Sequence, residues 1–249
     1  MGATRILAVA ILVVAWKGDP ENLFPSFDGF SFRRLSVGGE KVWRAVPVDS
    51  GIAKELKAVN ADPHIASLDG QLLVASTSRA ILERQMRLYR KSEGKEGVFG
   101  EFSASTGGLG RAYVFGVGDV IRRTALLDKV RGKALGGYLK IPSACEELMT
   151  GLKTLVVDVN ASKGGAPELA MSVEAASEGD AKLLRSVFGA SLALAKRFGT
   201  KSSDMSKEVS DAIKGTSIGG QGSKIEVRCS DATSVMKALS SGVSGGPNG

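Results

Sequence analysis

The sequence has few of the residues from which metal and thiol sites are built. Its 249 residues include one histidine, His64, and two cysteines, Cys145 and Cys229, which lie far apart along the chain. Structural zinc sites need about four Cys or His ligands, and disulfide scaffolds need many cysteines. The composition therefore predicts neither kind of protein, and no motif for a metal or another cofactor is found. We expect two buried, unreactive thiols, although a disulfide between them stays open until their separation in space is known.

Long apolar runs are also few. The most apolar segment is the eleven-residue run from Ile6 to Trp16, ILAVAILVVAW. It is too short to span a bilayer, which takes about 20 residues, so no transmembrane span is predicted. One interpretation is a signal peptide with Arg5 before the apolar run and cleavage after Ala15. The other, which we prefer, is a buried strand followed by a turn and a short helix with Asp19 as its N-cap and Pro20 as its first residue. We prefer it because this pattern of a strand and a capped helix recurs later in the chain.

Blocks of like charge are absent as well. The 33 basic and 26 acidic residues give a net charge of +7, spread over both halves of the chain. Nucleic-acid binders usually concentrate basic residues on one arm or face, so no specific nucleic-acid partner is predicted. With 43% hydrophobic and 24% charged residues, the composition is that of a folded globular protein and excludes disorder over most of the length.

The densest basic stretch lies on a predicted helix. Arg84, Arg87 and Lys91 fall at i, i+3 and i+7, so they share one helix face. One interpretation is an ordinary solvated face, in which Glu83 pairs with Arg87 four residues later. The other is a face for an anionic partner. We prefer the first interpretation, because surface charge carries only a weak indication of partner.

A hairpin followed by a polar cap and a helix is the recurring pattern. Gly38-Gly39 and Asp69-Gly70 each separate two β-rich runs, as two-residue hairpin loops do. Ser78 then caps a predicted helix over Arg79 to Lys91. Similar units recur in LLVASTSRAILERQM, AMSVEAASEGDAKLLRSVF and IEVRCSDATSVMKAL. The pattern predicts an α+β fold with antiparallel sheet built of hairpins, each followed by a helix, and helices packed on one face.

The return of this unit allows for two similar halves. We assign a first hairpin-helix half to residues 1–95 and a second half, sharing or extending the sheet, to residues 101–239. The Gly/Ser/Pro-rich residues 240–249 are predicted to be a disordered tail. In the second half, the predicted strands are 112–117, 154–160, 168–175 and 224–229. The predicted helices are 120–130, 141–152, 180–198 and 205–213, and a last short helix capped by Ser230 and ending at Leu239. Residues 92–100 are predicted to be a loop, and 218–222 a turn.

Two short motifs suggest chemistry but lack its structural context. Ser217 lies in a G-x-S-x-G match, yet a nucleophile elbow needs a strand before the serine and a helix after it. Here a predicted helix comes first, and His64 lies upstream instead of downstream. Gly116 and Gly118 follow a strand, but Ile121 stands where a dinucleotide loop has its third glycine. We therefore predict no catalytic residue and no cofactor-binding loop.

The stretch from Trp16 to Arg90 resembles a group of uncharacterised bacterial exported proteins. The resemblance rests on WKGDPENLF, FRRLSVGGEKVWRAV and HIASLDGQLLVASTSRAILERQ, and the segment from Ala170 to Phe198 is similar to the same group. These proteins are periplasmic, secreted or lipoprotein-like, with no assigned activity. The resemblance implies an extracytoplasmic location and a non-enzymatic role, and it transfers no catalytic residues.

Three functional hypotheses follow, in order of preference. The first is an exported, non-catalytic binding or structural module for a protein partner, an envelope component or an apolar ligand. The second is a binder of anionic polymers or of the envelope surface through Arg84, Arg87 and Lys91. The third is a hydrolase that uses Ser217. An exposed apolar patch would favour the first, unpaired cations the second, and a histidine beside Ser217 the third.

Overall fold

The computed structural model describes residues 9–16, 19–37, 40–104, 108–123, 143–161, 167–198 and 207–235. The strands are β1 (Val9–Ala15), β2 (Phe30–Val37), β3 (Glu40–Pro47), β4 (His64–Leu68), β5 (Leu72–Ser76), β6 (Gly108–Phe115), β7 (Thr154–Asn160), β8 (Glu168–Glu174), β9 (Thr216–Gly219) and β10 (Lys224–Cys229). The helices are α1 (Ser50–Ala58), α2 (Arg79–Ser92), α3 (Gly97–Ala104), α4 (Val117–Arg123), α5 (Ser143–Thr150), α6 (Glu178–Phe198) and α7 (Lys207–Gly215), with a 3-10 helix at Pro20–Ser26.

The ten described strands form one antiparallel sheet in the order β2-β3-β4-β5-β1-β6-β7-β8-β10-β9. This confirms the predicted α+β class. The apolar run near the start of the chain is a strand, as we preferred: β1 lies between β5 and β6, with Val13 opposite Val74 and Ile11 opposite Tyr113. Because α3 packs with the elements before it, we extend the name "first half" beyond residue 95 to mean β1 to α3, and "second half" means the described elements from β6 onward.

Local sequence explains the turns and helix starts of the first half. Asp69 and Gly70 both have positive φ, of 50° and 66°, as the two central residues of a type I′ hairpin turn require. Asp19 accepts a hydrogen bond from the amide of Glu21 at 3.0 Å and so begins the 3-10 helix. Ser78 caps α2 in the same way. The pairing of β2 with β3 and of β4 with β5 confirms the two predicted hairpins, and α2 confirms the predicted helix after Ser78. The loop residues Gly38 and Gly39 lie outside the described residues.

The two halves place their main helices on opposite faces of the sheet. In the first half, α2 and α3 pack on the face that carries Ile11 and Val13, which we call the α2 face. In the second half, α6 packs on the other face, against Val173 and Ile225. Because side chains alternate along a strand, these two strand sets point to opposite sides. The prediction that helices pack on one face therefore holds for these helices within each half. It does not hold for the sheet as a whole, whose two faces each carry helices.

Two elements differ from the sequence predictions. The predicted loop at 92–100 contains the start of α3, whose Phe99 is 1% exposed and belongs to the core. The glycines of this segment led to the prediction of a loop, but one of them, Gly97 (φ 62°), is the residue at which the helix begins. The predicted turn at 218–222 begins with strand β9, which pairs with β10, and the chain turns only after Gly219. Short edge strands carry little sequence signal, because one partner strand supplies their pairing.

The remaining predictions are met in part. The helix predicted at 120–130 is α4, which begins earlier, at Val117. The helix predicted after Ser230 starts at residue 232 and is capped by Asp231, whose carboxylate accepts from the amide of Ser234 at 3.0 Å. Residues 124–130, the end of the last predicted helix and the tail at 240–249 lie outside the described residues.

Candidate anion-binding site

Helix α2 sets the geometry of the candidate site. Its Leu82 and Met86 are buried, 1% and 4% exposed, and pack on the α2 face of the sheet. These residues are one helical turn apart, so they fix which side of the helix faces the core. The residues on the other side of α2 are consequently held in solvent.

Three of those outward residues are the cations that the sequence singled out. Arg84, Arg87 and Lys91 are exposed and form no ion pair with any described residue. We call them the basic stripe. The predicted pair between Glu83 and Arg87 is wrong, because Glu83 binds Arg79 instead, with Oε1 2.8 Å from the arginine Nε.

A groove of about 460 Å³ lies between α2 and the end of β2. It is lined by Ser36, Val37, Arg79, Glu83, Met86, Arg87 and Arg90. Arg90 is paired, with its guanidinium 2.5 Å from Glu40 Oε1, and Arg79 is paired with Glu83. Among the described residues, Arg87 is thus the groove cation without an ion-pair partner. A guanidinium in this state presents a planar set of donors that matches a carboxylate or a phosphate.

The structure does not bring Ser217 and His64 together. Ser217 is exposed in β9, the tenth strand of the sheet, whereas His64 is 1% exposed in β4, the third strand. The His64 ring instead lies against its own loop, with Nδ1 2.7 Å from the carbonyl oxygen of Asp62. Helix α7 also ends directly before β9, so the strand that an elbow requires does not precede the serine. This arrangement gives no support to the serine-hydrolase hypothesis, because the elbow and the serine–histidine pair on which it rests are not formed.

Gly116 and Gly118 serve helix packing. Their amides donate to the carbonyl oxygens of Lys153 at 2.8 Å and Leu152 at 2.9 Å, so neither is available to a phosphate. A Cβ at Gly118 would lie 1.9 Å from the carbonyl oxygen of Thr150. The glycine is needed because α4 approaches the end of α5 closely.

The cysteine prediction can be followed at one position. Cys229 is a free thiol, 4% exposed, with Sγ 3.6 Å from the carbonyl oxygens of Ala212 and Asp231. It fits the expected buried thiol. The side chain of Cys145 lies outside the described residues. Within the described residues, no group of three or more His, Cys, Asp or Glu side chains is arranged to hold a metal ion.

One polar cluster was not found by sequence reasoning. Glu101 of α3, Arg111 and Tyr113 of β6 and Asp158 of β7 meet where the two halves join; we call them the junction cluster. Tyr113 donates its hydroxyl to Glu101 at 2.5 Å, and Arg111 Nε lies 2.6 Å from Asp158 Oδ1. The Arg111 guanidinium also lies 5.5 Å from the Tyr113 ring centroid.

The electrostatics of the junction cluster are those of a structural contact. Burial raises the pKa of Tyr113 above its ordinary value, and its hydrogen bond to Glu101 raises the pKa further. The phenol therefore stays protonated at neutral pH and is not a base. The i, i+2 spacing of Arg111 and Tyr113 was visible in the sequence. The register that brings Asp158 beside them was not.

Comparison with known proteins gives no relative: no protein-family model, no curated protein and no solved structure matches the chain. The resemblance to exported proteins therefore stays a prediction. Among the helices of the described parts of the chain, none is both long and apolar enough to cross a membrane. The geometry around α2 is the basis on which a function can be proposed.

Proposed function

We propose that this chain is a non-catalytic binding module whose basic stripe takes an anionic partner. The observation that carries the proposal is the contrast within one helix. Arg79 and Arg90 are each held by an acidic residue, whereas Arg84, Arg87 and Lys91 have no ion pair among the described residues. The stripe is thus both exposed and electrostatically unsatisfied.

The spacing of the stripe suits a partner that carries several negative charges. Seven residues of helix from Arg84 to Lys91 span about 10 Å. Like charges this close repel one another weakly in the free protein, because the distance is similar to the screening length at physiological salt, about 8 Å. A polyanion would relieve that repulsion and release counterions, so binding is expected to weaken as salt rises.

An extracytoplasmic location is a further part of the proposal. Its support is the resemblance of Trp16 to Arg90 to exported bacterial proteins. Fractionation of the native host, with N-terminal sequencing of the recovered protein, checks it. Recovery outside the cytoplasm with the β1 residues retained supports export, and recovery in the cytoplasm overturns it.

The basic stripe is tested by charge reversal. The variant carries Arg84→Glu, Arg87→Glu and Lys91→Glu, and the probe is inorganic polyphosphate, titrated by calorimetry at low and at physiological salt. We expect the affinity to fall by roughly tenfold or more, because three attractive charges become repulsive. Folding should be unaffected, since all three side chains are exposed.

A matched control separates local charge from net charge. Lys54→Glu, Lys57→Glu and Lys182→Glu together make the same change of net charge at exposed positions of α1 and α6. The proposal predicts a much smaller loss for this control than for the stripe variant. Equal losses in the two variants, or no binding of polyphosphate by the wild-type protein, would overturn the proposed site.

A further inference from the structure

We infer that the anionic partner is an extended acidic peptide segment, which adds a strand to the sheet beside β2. This inference rests on the proposed function and names the class of partner. It starts from the position of β2, the first strand in the sheet order, whose outer edge pairs with no described strand. With eight residues, β2 is longer than the usual strand of about five to six residues.

The hydrogen bonds of β3 show which groups of β2 point outward. The amide of Ala45 donates to the carbonyl oxygen of Pro63 at 2.9 Å, on the β4 side of β3. Its partner across the hairpin, Phe32, therefore belongs to a pair that makes no hydrogen bonds between β2 and β3. In an antiparallel ladder, pairs with and without hydrogen bonds alternate, so Arg34 and Ser36 also belong to pairs that make no hydrogen bonds between β2 and β3. These residues direct their N–H and C=O groups to the open edge.

Pro47 supports this assignment independently. It stands opposite Phe30, in another pair that makes no hydrogen bonds between β2 and β3. Proline has no N–H, so at this position it costs the hairpin no hydrogen bond. Three successive donor-acceptor positions are thus available at Phe32, Arg34 and Ser36. They have the two-residue spacing with which an added strand pairs.

The groove between β2 and α2 provides the charge recognition. A strand added at the usual spacing of about 4.8 Å would place every second side chain on the α2 face of the sheet, beside this groove. Acidic side chains there would meet Arg87, and the partly exposed Val37 would offer apolar surface to the rest of the strand. On the opposite face, Arg34 is exposed and without an ion pair among the described residues.

The same charges select among possible occupants of this edge. A second copy of the chain would bring its own Arg33 and Arg34 against those of the first, and basic edge residues are a common means of preventing such pairing. Polyphosphate can accept hydrogen bonds from the edge amides, but it offers no donors to the edge carbonyls. An acidic peptide satisfies both the guanidiniums and the backbone.

The experiment compares two probes on one protein. The first is a fluorescein-labelled peptide with glutamate and valine in alternation, followed by anisotropy. The second is inorganic polyphosphate, followed by calorimetry. In Ser36→Pro an outward amide is removed and no charge is changed, and edge strands tolerate proline at such positions. Ser36→Ala is the matched control, since it keeps the amide.

We expect Ser36→Pro to bind the peptide at least tenfold more weakly than Ser36→Ala, and both variants to bind polyphosphate as the wild-type protein does. A peptide methylated on alternate backbone nitrogens, in the register that faces β2, should lose affinity for the wild-type protein by a similar factor. This second measurement needs no variant and so does not depend on how Ser36→Pro folds.

The outcomes separate the two proposals. If the peptide binds equally well with and without backbone methylation, strand addition is overturned while the basic stripe stands. If polyphosphate binds and the peptide does not, the partner is a polyanion of another class, and the inference is again overturned. If neither probe binds the wild-type protein, the proposed function itself fails.

Discussion

The two halves use their helix cations differently. In the second half, Arg185 of α6 donates to the carbonyl oxygens of Gly222 and Lys224, at 3.0 and 2.6 Å, and Lys196 donates to that of Thr216 at 2.6 Å. These cations tie the helix to the turns and strands beside it. In the first half, α2 leaves Arg84, Arg87 and Lys91 in solvent. Two cations of α6 thus hold the second half together, whereas three of the five cations named on α2 remain available for a partner.

The cores of the two halves differ as well. Among the described residues, the first-half cluster contains ten buried residues from β1, β3, β4, β5, α2 and α3, and Tyr113 of β6 joins them. The second-half cluster contains four described residues, from α6, from β10 and from the loop between β8 and α6, with partly buried neighbours around them. The first half is therefore expected to be the more rigid support, which suits a helix that presents a binding surface.

Matched leucines in the two cores give the largest expected effect. Leu82 and Leu184 are both buried, and truncation of a buried leucine costs about 2–5 kcal/mol of unfolding free energy. We expect Leu82→Ala near the upper end and Leu184→Ala near the lower end, because the smaller cluster can relax into the space. Urea denaturation measures both, with exposed Leu183→Ala as control. A larger loss for Leu184→Ala would reverse the comparison.

Glycine substitutions sharpen the comparison within the second half. Gly118→Ala forces a Cβ against the carbonyl oxygen of Thr150, so we expect a loss of about 3 kcal/mol. Gly189→Ala in α6 meets no atom within 4 Å and should gain about 0.5–1 kcal/mol through helix propensity. Thermal and urea unfolding check both. If Gly118→Ala were as stable as the wild-type protein, the close approach of α4 and α5 would be refuted.

The junction cluster gives the smallest expected loss of stability, and this loss depends on pH. Because the pKa of Tyr113 is raised in the fold, its contribution to stability is complete below about pH 10 and declines as the pH rises above that value. Tyr113→Phe should cost about 1 kcal/mol at neutral pH, through the lost hydrogen bond to Glu101. The unfolding free energy of the variant should also fall less steeply than that of the wild-type protein as the pH rises above about 10. Denaturation at several pH values checks this, and parallel curves for the two proteins would contradict it.

Much of the fold was predictable because local chemistry marks it. Asp69-Gly70 requires a particular turn, Ser78 and Asp19 cap helices, and alternation marks β8 and β10. The basic stripe was predictable for the same reason, since helical spacing alone places Arg84, Arg87 and Lys91 together. In each case the signal lies within a few neighbouring residues.

The rest depended on relations between distant residues. The two halves place their helices on opposite faces because different alternate residues of their strands are apolar. This can be recognised only when the register between all ten strands is known, and a single strand does not reveal its register. The pairing of Glu83 with Arg79 was a choice between two equally spaced arginines. The junction cluster joins Glu101, Tyr113 and Asp158 from three elements. The open edge of β2 was likewise unknown until the strand order was.

The place of β1 has a consequence for how the chain folds. It is the earliest of the described strands in the sequence but the fifth in the sheet, and its partners β5 and β6 follow much later along the chain. Contacts such as Ile11 with Tyr113 close a loop of roughly 100 residues, and contacts this distant slow folding. During synthesis, β1 must wait for β6 before the halves can join. Until then its apolar residues are a target for chaperones and for aggregation.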